Sequence, residues 1–455
     1  MSIQSINPHS LEVIRTYPEA SAEECSRTVE SARMAQSAWA STPDEERARI
    51  ANALADLLAD NLDFHATIIT SEMGKPITEA RAEAQKCVTL CRYYATHSAS
   101  QLADRQIETD YSQSFVRYEP LGIVLAIMPW NFPYWQAFRA AIPALMAGNA
   151  MILKHASNTT GCAFAIESLF LKAGFPKNLF HAVAIRGENT SMLISHPDIA
   201  AITFTGSNPA GEKIATTAAA HLKKTVLELG GSDPSLVLSD ADLELAATKC
   251  VAGRMHNAGQ SCIAAKRILV EQSVAESFLK LVEEKIREIK IGDPMEPSTQ
   301  IGPLATETIR QEIHRLVTES IAAGAKCILG GHPLDQPGYY YTPTLLAGVT
   351  PDMAVWIEET FGPVMCVTTF ADDEEGIRLA NQTPWGLGCS VYSRDIERAL
   401  EIGKKIQAGT CAINDFVKSD TRMPFGGVKK SGYGRELSAE GIHEFTNIKS
   451  YNVAK

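Results

Sequence analysis

Residues 121–155 read LGIVLAIMPWNFPYWQAFRAAIPALMAGNAMILKH, and the fold follows from how this stretch is parsed. Leu121 to Met128 is a continuous apolar run closed by Pro129, the pattern of a strand buried on both faces. AFRAAIPALMAGN carries apolar residues at helical spacing with a glycine stop, and AMILKHA is a second apolar strand. Strand, helix and strand in so short a span form one βαβ crossover, which makes a parallel sheet. The alternation continues through CAFAIESLFLKAG (helix), NLFHAVAI and IAAITFTGS (strands), PAGEKIATTAAAHL (helix) and KTVLELGG (strand). After Gly231 the cycle restarts with SLVLSDAD, ILVEQSVAESFLKLVEEKIREI and CVTTFADDEEGIRLANQ.

Upstream, residues 21–104 predict helix. Ser21 followed by Glu24 has the capping-box pattern, and Pro76 marks a helix start or break. SFVRYEP and the tail SYNVAK are β-like. The chain has 455 residues, and single cores stop growing near about 250–300 residues, so more than one lobe is expected. The predicted class is α/β: two lobes plus a small β element, Asp110 to Glu119 with the tail. So few strands cannot bury a core alone, which suggests an oligomerisation arm.

Composition excludes several classes. The 42 Lys and Arg against 53 Asp and Glu leave a net charge of −11, which argues against nucleic-acid binding. An anionic cofactor remains compatible, because local positive groups decide that. The start MSIQSINPHS lacks the charged and apolar regions of a leader, and no apolar run approaches the roughly 20 residues of a membrane helix. A cytoplasmic chain is expected. The ten cysteines are scattered and read as reduced; Cys87 and Cys91 lie four apart, but no zinc pattern completes them, so no metal is expected.

Six segments combine small, polar and special residues. In PWNFP, Asn131 is a rigidly held amide at a strand end, suited to stabilising an oxyanion or simply to capping a turn. In LKHASN, Lys154 and Ser157 follow a buried strand, where a lysine can reach a ribose or phosphate. FTGSNPAGEK is strand, Gly206-Ser207, helix: a phosphate-binding layout, though neither the GxGxxG nor the Walker pattern. In LELGGSDP, Glu228 ends an apolar strand, where desolvation raises a carboxylate toward general-base values. NAGQSC presents Cys262 at the end of a polar, glycine-containing loop. EETFGP and PFGGVKKSGYGRE place glycines 426, 427, 432 and 434 for close backbone approach.

Taken in order, PWNFP, FTGS, LELGG, GQSC, ExFGP and PFGG..KSGxGRE resemble the NAD(P)-dependent aldehyde dehydrogenases over essentially the whole chain, and Glu228 and Cys262 have the family's separation, 262 − 228 = 34. The resemblance implies two Rossmann-like α/β lobes. Residues 1–108 and 121–230 would bind the dinucleotide, 231–430 would be catalytic, and 109–120 with 437–455 would bridge copies in a homodimer or homotetramer. Cys262 would be the nucleophile, Asn131 an oxyanion donor and Glu228 the base. Met128, Trp130, Lys154, Ser157, Gly206, Ser207, Glu359 and Phe361 would bind the cofactor. Many NAD-preferring members have Glu where Ser157 stands, so NADP is expected to be preferred over NAD.

The segments EMGKPITEARAE, LKHASN and NDFVKSD…PFGGVKKSGYGRELS look most like short bacterial and cyanobacterial succinate-semialdehyde dehydrogenases. That implies a carboxylate-bearing aldehyde held by Arg139, with His256 and Ser419 beside it. Some relatives have a second Arg where His256 stands, and a second Cys where Ala264 stands. A glutarate-semialdehyde or broad-specificity enzyme is the alternative. A cysteine hydrolase or acyltransferase would leave Ser207, Glu359 and Phe361 without a purpose.

Overall fold

A computed structural model describes residues 2–455. Its central crossover is the one read above: strand Ile123–Met128, helix Trp135–Met146, strand Ala150–His155, the two strands parallel and fully buried. They sit in a six-stranded sheet whose order is Gly432–Tyr433, Lys224–Glu228, Ile199–Thr205, Ile123–Met128, Ala150–His155, Phe180–Val183. Only Gly432–Tyr433 runs antiparallel. From Ile123–Met128 the chain first builds outward on one side, then returns to build on the other. The carboxyl ends of Ile123–Met128 and Ile199–Thr205 therefore flank a topological switch point, where such sheets open a cleft. PWN and GS leave those two strand ends.

Leu229 to Ser232 carry the chain into a seven-stranded sheet of order Lys326–Leu329, Thr344–Ala347, Val364–Phe370, Ala265–Glu271, Asp233–Val237, Gly388–Tyr392, Thr410–Ile413. All but Lys326–Leu329 are parallel. Most of the buried apolar residues fall in two clusters, one centred on each sheet, and Ile3, Tyr17 and Ala184 form a small third one. Phe425, Leu437 and Phe445, late in the chain, belong to the first cluster, so the tail is tied back across the molecule. It then continues as Thr446–Val453, antiparallel to Gln113–Pro120, with Arg105–Gln106 beyond.

The predicted helical stretch 21–104 is four helices: Ala22–Trp39, Asp44–Asp60, Leu62–Met73 and Ile77–Gln101. The capping box forms: the Glu24 amide donates to Ser21 Oγ at 3.2 Å, and the Ser21 amide donates to Glu24 Oε2 at 2.8 Å. Pro76 stands at the N-cap of the fourth helix. A hairpin of Ser2–Ile6 and Val13–Pro18 goes beyond the sequence expectation. Its inward residues include Ser5, which bonds Glu72, and most of Val13–Pro18 is exposed, so no apolar alternation announces it. No helix among the described residues is long and apolar enough to cross a membrane.

Candidate active site

The cysteine loop is set by backbone geometry. Asn257, Ala258 and Gly259 take φ of 54°, 52° and 73°, three left-handed residues in succession. A Cβ on Gly259 would lie 2.2 Å from the Gly362 carbonyl oxygen, so glycine is required both for its φ and for the close approach. The fully buried Arg254 joins these two segments. It donates to the carbonyls of Val364 (2.6 Å), Thr360 (2.9 Å) and Gly362, and at 3.4 Å to that of Gly259. Burial pulls its pKa down to about 10, so it remains a cation at neutral pH. Glu79 fixes the head of the loop, accepting the Asn257 amide at 2.8 Å and meeting His256 Nδ1 at 3.1 Å.

Lys266 fixes the other end. It is fully buried, donates to the carbonyls of Ser261 (2.8 Å) and Cys262 (2.7 Å), and pairs with Glu359 at 3.0 Å. The same Glu359 carboxylate accepts the Gly231 amide at 3.0 Å. Cys262 is half-buried at the meeting of two cavities. One, of about 300 Å³, is lined by Trp130, Asn131, Gly206, Ser207, Glu359 and Phe361 among others; Trp130 and Phe361 meet edge to face at 5.7 Å. The second, of about 230 Å³, is lined by Lys86, Trp135, Arg139, His256, Ser419 and Phe425 among others. Burial pushes the Cys262 thiol up to about 12, against the pull of Lys266 and Arg139.

Asn131 is buried and held at three points. Its Nδ2 donates to the Gln260 carbonyl at 3.0 Å, its Oδ1 accepts Gln136 Nε2 at 3.1 Å, and its carbonyl accepts Asn257 Nδ2 at 2.8 Å. One Nδ2 proton is left over for the cavity Asn131 lines. Glu228 lies deeper, lining neither cavity. It is fully buried, and neither oxygen completes a hydrogen bond of ordinary geometry. Burial and the neighbouring Glu436 carboxylate raise its pKa to about 8; Arg139, Arg435 and the Gly427 amide pull the other way without offsetting this.

A wide groove of about 1150 Å³ meets the first cavity at Ser207 and is lined by Lys154, Phe204, Pro209 and Lys213 among others. Lys154 is 7% exposed and makes no ion pair among the described residues; burial lowers its pKa. Ser207 stands at the start of helix Asn208–Ala220 without capping it by its side chain. A buried unpaired cation and an open helix amino terminus fit the phosphates of a dinucleotide. Ser157, in the turn after strand Ala150–His155, is partly exposed and adds no charge. Met128 departs from the expectation. Its side chain is enclosed in the first core and lines neither of the two cavities nor the groove that Ile127 of the same strand reaches.

Residues 1–451 match the aldehyde dehydrogenase family. The chain belongs to that family. It is 47% identical over 454 residues to a probable succinate-semialdehyde dehydrogenase [NADP(+)] of Synechocystis, with all of both chains covered. It is 43% identical over 457 residues to succinate-semialdehyde dehydrogenase [NADP(+)] 1 of Mycobacterium tuberculosis, again with full coverage. The crystal structure of succinic semialdehyde dehydrogenase from Streptococcus pyogenes in complex with NADP+ superposes with a TM-score of 0.97 at 34% identity, covering both chains fully. Betaine aldehyde dehydrogenase from Staphylococcus aureus in complex with NAD+ gives 0.95 at 31%, covering 99% of this chain and 91% of that one.

In this aldehyde dehydrogenase Arg139 has a partner that the sequence did not announce. Arg139 lines the second cavity, and its Nε and Nη2 are buried without completing a hydrogen bond. Its guanidinium is ion-paired with the buried Glu436 and lies 4.8 Å over the Phe425 ring. The reason is tertiary. Phe425 and Glu436 bridge each other through two backbone hydrogen bonds of 2.7 Å, which folds the glycine-rich segment back and delivers the carboxylate to Arg139. His256 also lines the cavity, with Glu79 as partner and Phe132 stacked at 5.8 Å. Ser419 Oγ accepts from Lys86 at 2.6 Å. Lys86, Arg254, Lys266 and Glu436 were not singled out from sequence. Lys266 offered a signal: with Arg267 it is a charged pair within the buried strand Ala265–Glu271.

Proposed function

We propose that this enzyme oxidises succinic semialdehyde to succinate, with NADP preferred over NAD, and that Cys262 carries the acyl group. The observation that carries the reading is the position of Cys262, between an apolar cavity bearing cations and a cavity that opens on the dinucleotide groove. The relatives' names support it. The Cys262 thiol gives its proton to solvent in the cavity, its thiolate favoured by Lys266 and Arg139; Sγ then bonds to the aldehyde carbon, and the carbonyl oxygen becomes an oxyanion held by Asn131 Nδ2 and the Cys262 amide. NADP, when bound, supplies the hydride acceptor that turns this adduct into a thioester. Trp130, Gly206, Ser207, Glu359 and Phe361 would hold it, with Lys154 at the 2′-phosphate, where Ser157 brings no repelling carboxylate. Glu228 then takes a proton from water; the hydroxide adds to the thioester carbon, the C–S bond breaks and the acid leaves.

A panel of succinic, glutaric and uncharged aldehydes, each run with both cofactors, tests this. We expect the highest kcat/KM for succinic semialdehyde with NADP. A preference for uncharged aldehydes removes the substrate assignment, and a much higher kcat/KM with NAD removes the argument from Ser157 and Lys154.

We further infer that 1–108 with 121–230 binds the dinucleotide, that 231–430 carries the nucleophile, and that 109–120 with 437–455 joins copies of the chain. The exposed Tyr111, Ile448 and Val453 on the last of these support an arm that pairs elsewhere. Light scattering is expected to give a dimer or tetramer; the mass of one chain overturns it.

A further inference from the structure

Among the described residues, one cation of the second cavity forms no ion pair, and it is Lys86. Lys86, on helix Ile77–Gln101, points its Nζ across the face of Trp135 at 4.1 Å and donates to Ser419 Oγ at 2.6 Å. Among the described residues it makes no ion pair. The carboxylates around it are each engaged elsewhere. Glu83 pairs with the buried Lys75 and accepts the amides of Tyr134 (2.8 Å) and Trp135 (3.0 Å). Asp420 is held by Arg422 through two hydrogen bonds, 2.9 and 2.6 Å. Glu436 is taken by Arg139. Lys86 is partly exposed at the outer end of the cavity, where a surface groove lined by Arg92, Ser419 and Asp420 begins. Desolvation and the nearby Arg139 cation pull its pKa down to about 8, against the weaker opposing pull of Glu83 and Asp420.

An ammonium drawn over an aromatic face and out of water is costly without an anion. We propose that Lys86 holds the carboxylate of the substrate, with the Ser419 hydroxyl completing the site, while Arg139, ion-paired with Glu436, lines the tunnel. The carboxylate of an ω-carboxylated aldehyde is the missing counter-charge. This makes Lys86 a specificity residue and fills the part left open by His256, which Glu79 already engages. It rests on the carboxylate-bearing aldehyde reading above.

The test compares wild type, Lys86→Met and Lys86→Arg with succinic semialdehyde and with butanal, an uncharged aldehyde of equal chain length. Methionine keeps the apolar stem in place, so the fold is preserved. Lys86→Met is expected to lower kcat/KM for succinic semialdehyde by about 10- to 100-fold, the scale of one hydrogen bond to a charged group, chiefly through KM. Butanal turnover is expected to change by less than about threefold, and Lys86→Arg to recover most of the loss by keeping the charge. A preference for succinic semialdehyde that survives intact in Lys86→Met overturns the role of Lys86 and leaves the substrate reading standing. Equal losses on both aldehydes also overturn it. A wild-type enzyme that does not prefer succinic semialdehyde removes both.

Discussion

Cys262→Ala is expected to abolish aldehyde-dependent NADPH formation, a fall of roughly 10⁴-fold or more, the scale seen when a covalent nucleophile is deleted. No other sulfur can replace it. Cys25, Cys87, Cys91, Cys162, Cys250, Cys366 and Cys389 are buried, and Cys327 and Cys411 are exposed but line neither cavity. The change removes one atom from a half-buried side chain in a loop held by Arg254, Lys266 and Glu79. Stability is therefore expected to move by no more than about 1 kcal/mol, read from a urea midpoint. Cys262→Ser tests the chemistry separately from the space: the hydroxyl fits, yet ionises far less readily than a thiol, so turnover is again lost. The assay is the absorbance of NADPH with succinic semialdehyde in excess. Turnover above about 1% of wild type in the alanine variant would falsify the covalent route.

Glu228→Gln separates the two halves of the reaction. With its pKa raised to about 8, Glu228 holds a proton below that pH and is a base only above it. The sign follows: wild-type kcat is expected to climb between pH 7 and 9 and then level off, as the carboxylate form fills. Glutamine cannot take the proton, so the climb should vanish and steady-state kcat fall by about 10²- to 10⁴-fold, the usual worth of a positioned base. Acylation by Cys262 remains possible, so rapid mixing should still show a burst of about one NADPH per site before the slow phase. A Glu228→Gln enzyme that keeps the wild-type pH climb would assign that climb to another group. Loss of the burst along with kcat would move Glu228 from thioester hydrolysis to activation of the thiol. Either half of the experiment is independent of which aldehyde is preferred.

Much of the architecture could be read along the chain because local pattern and burial coincide there. Strand Ile123–Met128 is apolar at every position since helices cover both its faces, and a continuous apolar run records that directly. The Ser21 cap and the break at Pro76 are likewise local chemistry. The hairpin Ser2–Ile6 with Val13–Pro18 escaped because its one buried polar residue, Ser5, is paid for by Glu72, 67 residues away. Nothing near Ser5 in sequence hints at that partner.

The candidate site divides in the same way. The strand ends and loops that carry Cys262, Asn131, Glu228, Lys154 and Gly206-Ser207 were legible from residue type and order; the roles proposed for these residues come from the resemblance to the family. Charge balance was not legible. The partner of Arg139 is Glu436, and only the fold brings the two together. Nothing in the sequence sets Lys86 apart from its helix neighbours; only in the fold do Lys75, Arg422 and Arg139 claim the carboxylates around it. The chemical inventory is a property of the sequence, because side-chain identity and spacing suffice to state it. Which charge is left over is a property of the tertiary structure, because Coulomb pairing depends on distance in space, and partners more than 200 residues apart meet only when the chain has folded.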